Sequence, residues 1–79
     1  MDYLQQSKTI LSNCLSVPVD RIEADSTLEQ LKPGLDSVTF ASMMMEVERL
    51  LKKEVPAAQW LDLETAADLA AILERNWQE

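Results

Sequence analysis

Few side chains in this 79-residue sequence could do chemistry unaided. There is no histidine, one cysteine (Cys14), and a serine, Ser37, that follows an aspartate at the head of a helical pattern, Gly34-Leu35-Asp36-Ser37-Val38. Without histidine a Ser-His-Asp triad cannot form. No lysine stands three or four residues after Ser37 to serve as its base. Cys14 falls in an apolar stripe and reads as core packing. A zinc centre or a Cys-His nucleophile is excluded by the same inventory. Read alone, Asp36-Ser37 is a helix start, with Asp36 accepting from backbone N–H groups. No set of acid and base groups converges, so an enzyme is not expected.

The elements that would position this serine are helical. Leu, Ala, Met, Glu and Gln are plentiful, with one Gly and three Pro, which favours an all-α fold. The length allows one domain, residues 1–79. A first amphipathic helix is expected from about Tyr3 to Ser16, with Ser7 interrupting its stripe. Pro18 ends it, and an irregular stretch from Val17 to Leu35 follows, pinned by Ile22, Leu28, Leu31 and Leu35, with a helical turn at Val19–Ile22. The second helix starts at Asp36-Ser37 and is expected to reach about Glu54, before Pro56. Ala57–Glu64 should fold back onto the core through Trp60, Leu61 and Leu63. A last helix spans about Thr65 to Trp77, opened by a Thr65/Asp68 capping box. The sum is a small three-to-four-helix bundle with a long ordered loop between its first two helices.

On the second helix, Phe40, Met43, Met44, Val47 and Leu51 share a core face with Leu50 at its edge. Val38, Ala41 and Met45 form another apolar group, centred roughly a third of a turn away. One core explains one apolar face; an additional strip beside a serine points to a partner surface.

Composition narrows the partners. Fourteen acidic and seven basic residues give a net charge of −7, which argues against nucleic acid and for basic protein surfaces. A lone cysteine and no stretch approaching about 20 apolar residues suggest a cytoplasmic, non-membrane protein, expected as a monomer.

Gly34-Leu35-Asp36-Ser37-Val38 resembles the Gly-x-Asp-Ser-Leu motif of acyl carrier proteins. The resemblance extends along the chain: Ile10-Leu11 through Leu15-Ser16-Val17 is similar to the end of that family's first helix, Leu28 and Leu31 to its apolar pair, Val55-Pro56 to its Ile-Pro junction, and Thr65–Leu73 to its last helix. It implies that Ser37 carries a covalent 4'-phosphopantetheine arm, transferred from coenzyme A by a Mg²⁺-dependent phosphopantetheinyl transferase that contacts Asp36. It further implies a free-standing acyl carrier that holds acyl intermediates as thioesters. Its partners would be an acyl- or aminoacyl-loading ligase and downstream acyl-transfer or condensing enzymes, met through Asp36, Val38, Ala41, Met45 and Glu48. An aminoacyl or peptidyl carrier is the alternative cargo class, and an unmodified helical interaction module the alternative role.

Two departures matter. Val38 replaces the family's usual Leu. From Ser37 to Val55, Glu46, Glu48 and Glu54 balance Arg49, Lys52 and Lys53, with Thr39 and Ser42 where fatty-acid carriers often have acids. The excess acid lies in the long loop (Asp20, Glu23, Asp25, Glu29) and the last third of the chain. These departures suggest a dedicated or secondary biosynthetic pathway.

Overall fold

The chain adopts the expected all-α architecture. The computed structural model describes residues 2–77. Three long helices, α1 (Tyr3–Leu15), α3 (Ser37–Leu51) and α5 (Ala66–Asn76), carry the core, with short helices α2 (Leu28–Leu31) and α4 (Ala57–Leu61) between them. The turn expected at Val19–Ile22 is a 3₁₀ turn over Val19–Arg21. Among the described residues no helix is long and apolar enough to cross a membrane.

Helix α1 packs most extensively on α5 and then on α3. Leu11 and Leu15 of α1, Met43, Val47 and Leu51 of α3, and Leu69 and Leu73 of α5 meet in one core. Ile22, Leu28, Val55 and Leu63 enter it from the connections, which is why long irregular segments remain ordered. Leu31 and Leu35 pack against its edge, as does Cys14. Burial pushes the Cys14 thiol above its ordinary pKa, with the charge of Glu46 adding to the effect, which suits packing more than reactivity.

Four expectations need correction. Ser7 does not interrupt the buried stripe of α1 but belongs to it. Its fully buried hydroxyl shares its one proton between two carbonyl oxygens, Leu4 O at 2.8 Å and Ala66 O at 3.1 Å, linking α1 to the start of α5.

The long loop also contains a helix. Thr27 and Gln30 form a capping box around α2, with the Thr27 hydroxyl accepting from Gln30 N and the Gln30 side chain accepting from Thr27 N, both at 3.1 Å.

Helix α3 stops at Leu51, three residues short of Glu54. Lys52 turns left-handed (φ 60°), Glu48 O accepts from Lys52 N, and the Glu48 carboxylate accepts from Val55 N at 2.9 Å. Val55 must leave the helix axis to reach the core, and as the residue before Pro56 it is disfavoured in helical geometry.

The fourth correction is Leu61. Trp60 and Leu63 turn inward, but Leu61 is 84% exposed. Helical rotation separates it from Trp60 by about 100° and carries it to the solvent side of α4. Beyond α5, Trp77 packs edge-on against Tyr3, with ring centroids 5.6 Å apart. The buried Asn76 ties α5 to α4 by donating to Gln59 Oε1 at 2.8 Å.

Candidate functional site

The site is the entry to α3. Gly34 has φ 76°, a left-handed turn that glycine adopts without strain, and its N–H donates to Glu29 Oε1 at 3.0 Å. That turn redirects the chain after Pro33 so that Leu35 can lean on the core while Asp36 and Ser37 face solvent. Asp36 is the N-cap, extended in backbone (φ −99°, ψ 171°), and its Oδ1 accepts from Thr39 N at 2.8 Å. Ser37 is then the first residue of a 15-residue helix and is exposed.

Electrostatics reinforce this start. Hydrogen bonding from Thr39, its backbone N–H foremost, holds the Asp36 carboxyl below its ordinary pKa, with Lys32 assisting. Because the folded value is depressed, whatever Asp36 adds to stability is present above its unfolded pKa of about 3.9 and fades as pH falls through the lower folded value. At neutral pH, therefore, a full negative charge stands beside the Ser37 hydroxyl. The unpaired N–H groups of the first turn of α3 would favour a negatively charged ester on the same residue.

The outer face of α3 continues from Ser37. Val38 is 73% and Met45 69% exposed, and Ala41 and Ser42 are exposed between them. The expected strip is thus physically separate from the core face, where Met43, Val47 and Leu51 are buried and Phe40 and Met44 pack at the margin. Farther along, Arg49 Nη2 grips both Glu46 oxygens, at 2.6 and 2.7 Å, so the acid on this face is neutralised by its own helix. Glu48 is half-buried and engaged with Val55 N, which gives its carboxylate a structural task. The structure therefore brings Asp36, Ser37, Val38, Ala41 and Met45 to one solvent-facing run, with Glu48 following Met45 by one turn as a half-buried side chain.

One feature of the site was invisible in the sequence. A groove of about 390 Å³ has Leu35 and Phe40, which flank Ser37 in the chain, among its walls, together with Leu28, Glu29, Leu63 and Glu64. Phe40 also packs edge-on against the buried Trp60 ring at 6.3 Å, joining α3 to α4 behind the site. The hydrophobic anchors Leu28 and Leu35 were readable; their meeting with Leu63 across the fold was not.

The family model described as phosphopantetheine attachment site matches residues 8–73. Among curated proteins, the non-reducing polyketide synthase Preu3 of Preussia isomera is 37% identical over 76 residues, covering 96% of this chain. The chain spans about 3% of that relative's length.

Proposed function

Since the chain belongs to the phosphopantetheine attachment site family, we propose that Ser37 is the point where the arm is attached and that the domain carries acyl groups of polyketide type for partner enzymes. The observation that carries the assignment to Ser37 is its position: an exposed hydroxyl at the first turn of α3, next to an ionised N-cap aspartate, within the matched residues. Ser37 would supply its oxygen to the phosphorus of coenzyme A; an Oγ–P bond forms, the adenosine bisphosphate half leaves, and the hydroxyl proton passes to a base on the transferase. Once attached, the arm supplies a terminal thiol that holds an acyl group as a thioester. The residues fit such a group, because an arm rooted at Ser37 displaces no core side chain. Asp36 sets the helix start and presents a carboxylate to the transferase. All bond-making chemistry on the cargo belongs to partners.

The polyketide-type cargo rests on the similarity to a non-reducing polyketide synthase and on the near-neutral outer face of α3, where the Glu46–Arg49 pair leaves apolar contact by Val38, Ala41 and Met45 as the main attraction. The test of the carrier role is the intact mass after incubation with coenzyme A, Mg²⁺ and a broad-specificity phosphopantetheinyl transferase. A single pantetheine-sized gain is expected. No gain under conditions that modify a proven carrier overturns the role and leaves an unmodified interaction module.

Two variants probe the residues around Ser37. Asn caps helices about as well as Asp, so Asp36→Asn should lose only the charge contribution, up to about 1 kcal/mol, while loading falls about tenfold or more, the charge being what the transferase reads. Loading unchanged in Asp36→Asn but reduced in Asp36→Ala would make the residue a cap and nothing else. The double variant Val38→Ala/Met45→Ala removes apolar bulk without disfavouring helix, and it should raise the KM for loading about tenfold with kcat unchanged. An unchanged KM would remove the strip from the interface. Glu48 is best probed as Glu48→Gln, which keeps an acceptor for Val55 N; Glu48→Lys would unmake the end of α3 and confuse folding with recognition.

A further inference from the structure

Two acid-rich stretches far apart in sequence are stapled side by side. Thr27 and Thr65 form an isolated antiparallel bridge, Leu28 N donates to Glu64 O at 2.9 Å, Ala66 N to Ser26 O at 3.1 Å, and Ala67 N to Ala24 O at 2.9 Å. Each segment of this staple leads into a helix through its own capping box, one at Thr27 and one at Thr65. The staple brings Glu29 and Glu64, both exposed, to the same groove, whose apolar walls are Leu28, Leu35, Phe40 and Leu63. No basic side chain is among its lining residues. Glu29 is held there in advance, one carboxylate oxygen accepting from Gly34 N in the turn that leads to Ser37.

We propose that this groove receives a basic side chain, arginine or lysine, from the transferase that modifies Ser37; the inference rests on the carrier function proposed above. The chemistry of that partner supplies the complement. An enzyme that binds coenzyme A meets its phosphates with Arg and Lys side chains as well as Mg²⁺, which places basic groups near the point where the serine enters. A long basic side chain at that rim can lay its aliphatic stem along the Leu28, Leu35, Phe40 and Leu63 wall and set its charged head between Glu29 and Glu64. Electrostatic recognition, which the outer face of α3 has given up by pairing Glu46 with Arg49, is thereby taken over by the loops.

The test compares two double variants of equal charge change. Glu29→Gln/Glu64→Gln removes the groove acids while keeping an amide oxygen for Gly34 N. Asp20→Asn/Glu74→Gln removes two exposed acids that do not line the groove. Loading of Ser37 is followed by intact mass with coenzyme A and the broad-specificity transferase, at low and physiological salt. The groove pair should lose about tenfold or more in kcat/KM and most of its salt dependence, whereas the control pair should change less than about threefold. Equal losses in both pairs would reduce the effect to net charge and overturn the proposal, as would full activity in the groove pair. Normal loading combined with faster hydrolysis of an acyl thioester in the groove pair would assign the groove to the cargo and also overturn it. A wild-type chain that takes no arm at all refutes the carrier function itself, an outcome distinguishable from any of these.

Discussion

Ser37→Ala is expected to lose all detectable pantetheine-sized mass gain while its circular dichroism and urea midpoint remain those of the parent. The two halves of this expectation have separate causes. The loss is complete because the ester requires an oxygen at this one position, and no neighbouring hydroxyl occupies the first turn with the same cap behind it. Thr39, two residues on, already gives its N–H to Asp36 and is only half-exposed. Stability is retained because Ser37 is exposed and alanine is the better helix former; the change should lie within about 0.5 kcal/mol. Residual modification in Ser37→Ala would mean that the transferase finds another residue. A collapse of the fold would mean that Ser37 is structural.

The second large effect concerns the core. Leu69→Ala should lower stability by about 3 kcal/mol, within the range for truncating a fully buried leucine. A domain of this size has a total of roughly 4–12 kcal/mol, so the variant forfeits a large fraction of it. Leu69 lies on α5, whose packing against α1 is the most extensive helix pair in the fold, so the cavity opens where neighbouring side chains have least freedom to close it. With a slope of about 1 kcal/mol per molar urea, the midpoint should fall by about 3 M. Leu61→Ala is the companion measurement: the same substitution eight positions earlier, at an 84% exposed side chain, should move the midpoint hardly at all. Equal shifts for the two would contradict the burial pattern described above.

The contrast between these leucines shows what the sequence revealed and what it did not. The cap at Asp36, the exposed start at Ser37, the core face of α3 and the separate strip of Val38 and Met45 all follow from local rules: capping chemistry and helical rotation need only a few neighbouring residues. Leu61 reads as a core residue in the sequence because α4 is five residues long, too short for periodicity to say which of Trp60, Leu61 and Leu63 faces inward. Ser7 reads as a break in the stripe because a serine is polar by type, and only the meeting of α1 with Ala66 O makes it a core residue. The end of α3 hid behind good helix formers, Lys52, Lys53 and Glu54, and was decided by the pull of Val55 toward the core and by the Glu48 carboxylate that receives its N–H. The stapling of residues 24–28 to 64–67 is wholly tertiary. Each acid-rich stretch is visible in the sequence, yet nothing local announces that they share a groove with Leu35 and Phe40.

That division bears on recognition. A near-neutral outer face on α3 suggested that steering by charge was weak along the helix. The structure redistributes the charge: the helix offers apolar contact and the stapled loops offer acid at the groove. Ser37 stands where both surfaces begin, reached from the Gly34 turn on one side and continuing into the Val38–Met45 strip on the other.

The most direct measurement of the central claim loads the protein from an acyl-coenzyme A with the transferase, then locates the added group by peptide fragmentation before and after neutral hydroxylamine. An acyl-pantetheine addition is expected on Ser37 alone, from which hydroxylamine removes the acyl group and leaves the arm. An addition on any other residue, or an acyl group that resists hydroxylamine, would contradict it.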